Sequence, residues 1–338
     1  MTENSEYNYF ICYILVDNER LFYYNQLLIS IASLRKRNPH LPVIVLLDEE
    51  TKQILPQKNP EFERWHISSM TISVPKEYEQ KARSRFIKTS VRQYVRGDYL
   101  YIDTDTVIAA TFPVNISNKD LSLTLDWNDG RITNEEFSTL KKTYDKCGYE
   151  LNSDSIMYNS GVIWAKDNAI VCRFYQKWHY EWKQCYSRGI LLDQPSLNHV
   201  NSVLYPLISE LPCVWNVQVS CVQALRFLNN AIIIHYYNVS WERMRAIYSL
   251  SNPEIQSKGY KSIEVQSILE NPKDALYPST FLRRDETTDE VMYCKAFATL
   301  KWLYMKHHRI YRGINYVLSI PSRIRTLIKK IKSDNRNQ

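Results

Sequence analysis

Two apolar runs joined by an amphipathic helix constrain this chain more than any other feature. Tyr9 to Val16 reads YFICYILV, a continuous stretch of β-formers, as expected of a strand covered on both faces. Asp17-Asn18 breaks it. Leu27, Leu28, Ile31 and Leu34 then recur at helical spacing, and Arg35-Lys36-Arg37 ends that helix with charge suited to its C-terminus. Beyond Pro39 and Pro42, Val43 to Leu47 is a second buried strand. Strand, helix, strand within about 40 residues is a βαβ unit, which requires a parallel pair inside an α/β sheet.

The alternation continues. A helix is predicted over Lys81–Val95, with Ile87, Val91, Tyr94 and Val95 on one face. Arg85 and Lys88 share another, and Lys88, Arg92 and Arg96 are read as its solvated basic side. Gly97-Asp98 ends the helix, and a short strand, Tyr99–Ile102, runs straight into Asp103-Thr104-Asp105. Leu121–Leu125, Gly161–Ala165 and Ala231–Ile234 are further strands, the last ending at His235. Arg173–Tyr186 is an aromatic-rich helix, more in keeping with core than with a sugar platform. The pattern predicts an α/β domain over residues 7–245 and a helical extension over 246–338. That extension contains a helix at Asp289–Arg309 and then apolar residues interleaved with Arg323, Arg325, Lys329, Lys330 and Lys332.

Composition removes several alternatives. With 44% hydrophobic and 23% charged residues, the chain has the make-up of a folded globular protein. None of the seven cysteines forms a C-x-x-C pair, which argues against a zinc ribbon or a thioredoxin-type site and for reduced thiols in a cytoplasmic protein. The start is polar and acidic, unlike a secretory leader, and no apolar run reaches the length of a membrane span. A net charge of +7 fits a phosphate-bearing partner, but no nucleic-acid-binding motif accompanies it.

The chemistry concentrates at Tyr99 to Val107, YLYIDTDTV. Two carboxylates one residue apart on an extended chain point the same way, with α-carbons about 6.6 Å apart. Both can reach one hard divalent cation, or one can take the metal and the other a sugar hydroxyl. They stand at the carboxyl end of a buried strand, where open α/β sheets bind ligands. The bland alternative is a pair of solvated turn aspartates.

In that setting, the stretch from Ser84 to Ile108 resembles the central signature of the GT-A glycosyltransferases. It is closest to the retaining family 8, which includes bacterial lipopolysaccharide galactosyltransferases and glycogenin. Five further segments agree in order. Tyr13 to Asn18 with the helix that follows resembles the first strand and nucleotide loop. Tyr158-Asn159-Ser160-Gly161-Val162 resembles F-N-A/S-G-V/I, and Asp193-Gln194-Pro195-Ser196-Leu197-Asn198 resembles D-Q-x-x-L-N. Leu211-Pro212 through Trp215-Asn216 resembles the L-P to W/Y-N element, and Ile232 to His235 resembles the I-x-H of a late metal ligand.

The resemblance, over residues 8–245, implies a Rossmann-like GT-A fold: a mixed, mainly parallel sheet flanked by helices, followed here by the C-terminal helical extension. It also implies that Asp103, Asp105 and His235 ligate Mn²⁺ or Mg²⁺, and that Tyr13, Asp17, Arg85, Asp103 and Asn159 bind a nucleotide diphosphate sugar, UDP-linked. Asp193 and Gln194 are placed below the anomeric carbon as catalytic residues. The acceptor is a glycan or lipid-linked saccharide, and the basic C-terminus suits peripheral contact with the inner face of a membrane. An inverting transferase, with Asp193 or Asp126 as base, and a non-catalytic nucleotide-sugar scaffold are the alternatives. One departure stands out: the family's H-x-x-G-x-x-K-P-W is here His235-Tyr236-Tyr237-Asn238-Val239-Ser240-Trp241. Its glycine and lysine are missing, and Arg243 or Arg245 is the substitute for the diphosphate contact.

Overall fold

The computed structural model describes residues 7–130, 132, 134–219, 222–236, 258–273 and 294–320. The described residues include ten strands: β1 Tyr9–Leu15, β2 Val43–Asp48, β3 Ile67–Ile72, β4 Asp98–Ile102, β5 Thr106–Ile108, β6 Leu121–Leu125, β7 Tyr158–Ala165, β8 Ile208–Glu210, β9 Val217–Gln218 and β10 Ile233–His235. The helices are α1 Phe22–Arg37, α2 Glu49–Ile54, α3 Pro60–Arg64, α4 Gln80–Ser90, α5 Asn134–Cys147, α6 Ala169–Ser187, α7 Gln194–His199, α8 Ile263–Glu270 and α9 Lys295–Lys306. The main sheet has the order β3-β2-β1-β4-β7-β6-β8, and β5-β10-β9 forms a smaller second sheet. β1, β2, β3 and β4 run parallel, whereas β7 is antiparallel to both β4 and β6. This is the mixed, mainly parallel sheet expected from the sequence.

The continuous apolar run of β1 is explained by its central place. Ile11, Tyr13 and Leu15 enter one core cluster with Leu27, Ile31 and Leu34 of α1. Cys12, Ile14 and Val16 enter the opposite one with Ile87 of α4 and with Phe174 and Trp178 of α6. Alternate side chains of one strand therefore fill two cores, and neither face can be polar.

Two expectations about α4 are overturned. The helix gives way to a 3-10 turn at Val91–Gln93, and two of its three "solvated" cations are inside the protein. Arg92 is buried: it donates to Gly97 O and Ala165 O at 2.7 and 2.6 Å, and its guanidinium lies 4.2 Å over the Tyr99 ring. Lys88 is buried too, and belongs to the site described below. Helical spacing identified the face these residues share, but that face turns onto β4 and β7, where Tyr99, Ala165, Tyr101 and Asp103 receive the two cations. Arg96 alone is exposed.

Between α4 and α6, His179 is packed against Phe86 and Trp182 and shares a hydrogen bond of 2.8 Å with Thr89 Oγ1. Burial, with a smaller contribution from Lys183, lowers its pKa from 6.5 to about 4. The unfolded chain therefore takes up a proton that the fold refuses. The stability this confers is complete above about pH 6.5 and is lost as pH falls to about 4, on the order of 3 kcal/mol in all. Urea unfolding across that range is expected to show the loss, and His179→Gln to flatten it.

The chain divides into two compact units, Met1–Arg283 and Arg284–Gln338. The first runs past residue 245, because Val265, Ile268 and Leu269 of α8 share a core with Ile29 of α1. In the second unit the helix read over Asp289–Arg309 is described from Lys295, ends at Lys306, and is followed by further helix over 308–320. Residues 289–293 and the basic positions from Arg323 to Lys332 lie outside the described residues. Among the described residues no helix is long and apolar enough to cross a membrane.

Candidate metal and nucleotide-sugar site

Where β4 ends, the backbone is tied down on two sides. Asp103 N donates to Gly161 O on β7 at 2.8 Å, and Asp105 O accepts from Tyr236 N just beyond β10 at 2.8 Å. The buried Thr106 hydroxyl closes the turn on Asp103 O at 2.9 Å. Fixed in this way, the carboxylates of Asp103 and Asp105 meet the imidazole of His235, the last residue of β10. One ligand atom from each lies within 4.8 Å of the others.

His235 is oriented by a relay of side-chain amides. Gly161 N donates to Asn159 Oδ1 at 2.9 Å, which also accepts from Asn216 Nδ2 at 2.9 Å. Asn159 Nδ2 donates to Asp126 Oδ1 at 2.9 Å. A backbone N–H at one end and a carboxylate at the other thus fix which way both amides point. Asn216 Oδ1 is left facing His235 Nδ1 at 2.8 Å, which assigns the proton to Nδ1 and makes Nε2 the ligating nitrogen. Nε2 lies 3.1 Å from Asp105 Oδ1 and 3.9 Å from Asp103 Oδ2. An acceptor nitrogen facing acceptor oxygens needs either a second proton or a cation between them, so the residues fit a divalent ion. Two oxygens and a nitrogen suit Mn²⁺ or Mg²⁺, and manganese tolerates the nitrogen better. Burial would raise the pKa of Asp105, but its neighbours outweigh that and hold the carboxyl below its ordinary value.

The two aspartates of the triad border a cavity of about 270 Å³, lined also by Tyr23 and Gln26 of α1, Lys81, Ser84 and Arg85 of α4, and Thr104. A larger cleft, about 450 Å³, opens beside α2, α3 and β3, and none of the three metal-binding candidates lines it. The smaller cavity, bordered by Asp103 and Asp105, is therefore the candidate site.

Asp193 lies close by, 3% exposed at the start of α7. Its Oδ1 accepts from Arg85 Nε at 2.9 Å and its Oδ2 from Ser160 Oγ at 2.8 Å, with Lys88 Nζ at 3.7 Å. Burial alone would raise its pKa; Lys88, Arg85 and Ser160 outweigh that and hold it below the usual carboxylate range. Gln194 Nε2 donates to Asp126 Oδ2 at 3.0 Å. Asp126 sits beside the strained Trp127, at φ 52°, and its two oxygens accept from Asn159, Gln194 and the Trp127 N–H.

The structure thus brings together Asp103, Asp105, His235, Arg85, Asp193 and Gln194. Tyr13, Asp17 and Asn159 are held inside instead. Tyr13 is fully buried and its hydroxyl pairs with Ser30 Oγ at 2.9 Å. Asp17 accepts from the N–H groups of Asn18 and Tyr24 at 2.9 and 2.6 Å, serving the first turn of α1. Every polar atom of Asn159's amide is used by the relay. Tyr23, Gln26, Asn216 and Lys88 are the residues that sequence reasoning missed. For Lys88 the only signal was that it shares a helical face with Arg85. Trp241, Arg243 and Arg245 lie outside the described residues.

No protein-family model and no curated protein matches the chain. Among solved structures, galactosyltransferase LgtC in complex with donor and acceptor sugar analogues is similar over 73% of this chain and 94% of its own, with 13% identity and a TM-score of 0.49. For mouse xyloside xylosyltransferase 1 the values are 75%, 93%, 11% and 0.44. For the glycosyltransferase GlyE of Streptococcus pneumoniae they are 81%, 65%, 16% and 0.46. Likenesses this distant carry no residue role across.

Proposed function

We propose that this chain is a metal-dependent GT-A glycosyltransferase that moves a hexose from a nucleotide diphosphate sugar, UDP-linked, to a glycan or lipid-linked saccharide, with retention at the anomeric carbon. The observation that carries the reading is the convergence of Asp103, Asp105 and His235, whose two aspartates line a cavity together with Arg85. A divalent ion held there would offset the charge developing on the departing diphosphate. Arg85, anchored on Asp193, presents its guanidinium at the cavity wall, where a planar fork suits phosphate oxygens or sugar hydroxyls. Gln194, aimed by Asp126, serves to steady an oxocarbenium-like sugar.

The state of the two carboxylates supports retention. An inverting enzyme needs a carboxylate base near the acceptor hydroxyl. Asp193 and Asp126 are the candidates, and both are buried with each oxygen already bonded. In a front-face reaction the departing phosphate takes the acceptor's proton, and no such base is required. Hydrolysis of nucleotide sugars is the test. Turnover is expected with Mn²⁺, and Asp105→Asn is expected to reduce it by more than about 100-fold. Equal turnover in a metal chelator would refute the assignment.

We further infer peripheral attachment of the C-terminal unit to an anionic membrane surface. Exposed Ile310, Tyr316, Val317, Leu318 and Ile320 support it, together with exposed Arg309 and Arg312 among them. Co-sedimentation with phosphatidylglycerol vesicles is expected for the full chain, and its absence contradicts the inference.

A further inference from the structure

We propose that Lys88 is a positioning residue: a built-in cation that shares Asp103 with the divalent ion, so that the site holds the metal weakly by itself and tightly only together with a diphosphate. The inference rests on the metal-dependent transfer proposed above. Lys88 is 2% exposed. Its Nζ lies 3.2 and 3.4 Å from the two oxygens of Asp103, 3.7 Å from Asp193 Oδ2 and 4.9 Å from the centre of the Tyr101 ring. The Tyr101 hydroxyl also donates to Asp103 Oδ1. Asp103 is therefore held from inside the protein on one flank, while its Oδ2 faces His235 on the other. Burying an ammonium is costly, and these carboxylates are what compensates it.

Charge balance gives Lys88 its consequence. Asp103, Asp105 and Asp193 contribute three negative charges, and Lys88 and Arg85 answer two of them. With a neutral imidazole the cluster is singly negative. A divalent ion arriving alone would make this mostly buried cluster net positive, which is unfavourable where the effective dielectric constant is about 20. A nucleotide diphosphate, with two or more negative charges, arriving with the ion removes that excess of positive charge. Without Lys88 the cluster would be doubly negative, and the bare ion would neutralise it. Lys88 thus makes metal and donor binding cooperative, and linkage requires the effect to be reciprocal. It also keeps Asp103 and Asp193 from repelling each other while no ion is present.

Titration of Mn²⁺ followed by electron paramagnetic resonance, on the full chain with and without UDP, tests this. The wild type is expected to bind Mn²⁺ about tenfold or more tightly with UDP than without it. Lys88→Met is expected to bind Mn²⁺ alone about tenfold more tightly than the wild type and to lose most of the enhancement by UDP. Lys88→Arg, which keeps the charge, is expected to preserve the coupling. A role confined to folding would move none of these ratios. Lys88→Met binding Mn²⁺ alone no more tightly than the wild type overturns the proposal. So does a wild type with equal affinity in both conditions, a result that stands even if Lys88→Met does not fold. Mn²⁺ binding with no such coupling overturns this inference only, whereas no Mn²⁺ binding under any condition overturns the metal-dependent reading as well.

Discussion

Gly161→Ala is expected to weaken Mn²⁺ binding by about 10- to 100-fold and to reduce donor turnover at least as much, although residue 161 bears no ligand. A β-carbon at this position would lie 2.2 Å from His235 Cε1, 2.7 Å from its Nδ1 and 2.9 Å from Asn159 Oδ1. Something must move, and the backbone is poorly placed to do so, because Gly161 O holds Asp103 N and the next residue, Val162, pairs with Ile102 across β4 and β7. The imidazole is the group that gives way. Turning it breaks the Nδ1 bond to Asn216, and Nε2 then no longer converges with Asp105. Overpacking of this kind costs about 1–3 kcal/mol of stability, so folded protein remains available for the measurement. Unchanged Mn²⁺ affinity in a folded Gly161→Ala protein would show that the orientation of His235 is not what makes the site.

Removal of the Asp193 carboxylate is expected to be the costliest single change for the fold around the site. Asp193→Ala leaves Lys88 and the half-buried Arg85 with one partner fewer, and a cation stranded in this way costs about 3 kcal/mol. Asp193→Asn keeps the shape but not the charge, and is expected to lose less stability but as much turnover, more than about 100-fold. The pH dependence follows from the same contacts. The carboxyl is held below its ordinary range, so its contribution is complete above about pH 4 and fades as pH falls toward the lowered value. Urea midpoints of wild type and Asp193→Asn are therefore expected to converge in acid; parallel midpoints down to pH 2 would show that Arg85 and Lys88 are not held by this charge.

The sequence was most legible where burial is one-dimensional. β1 and β2 stand near the middle of the sheet, so their apolar runs are unbroken, and Asp103 and Asp105 follow a strand of the same kind. β3 was invisible because it is an edge strand: Ser68 to Thr71 are exposed, and ISSMTI carries little apolar signal. The short α7 was hidden for another reason. Pro195 and the Asp193 carbonyl start it, and its first residue, Gln194, reads as part of a chemical motif rather than as a helix start.

The roles around the ligands were harder to read than the ligands themselves. Asn159 and Gly161 stood out as a motif, but a linear pattern cannot tell an amide that meets a sugar from one that orients a histidine through Asn216. Lys88 and Arg92 read as solvated because neither helical spacing nor composition reveals which face of α4 and its 3-10 extension turns onto β4 and β7. In both cases the deciding partner is distant in sequence: Asn216 lies 57 residues beyond Asn159, and Asp103 lies 15 beyond Lys88.

The most direct test of a metal held by Asp103, Asp105 and His235 is pulsed electron paramagnetic resonance of Mn²⁺ bound together with UDP. The account predicts a ¹⁴N coupling from one directly ligated imidazole, lost in His235→Gln, and a ³¹P coupling from the diphosphate on the same ion. Manganese ligated only by water and phosphate, with no nitrogen coupling in the wild type, would contradict it.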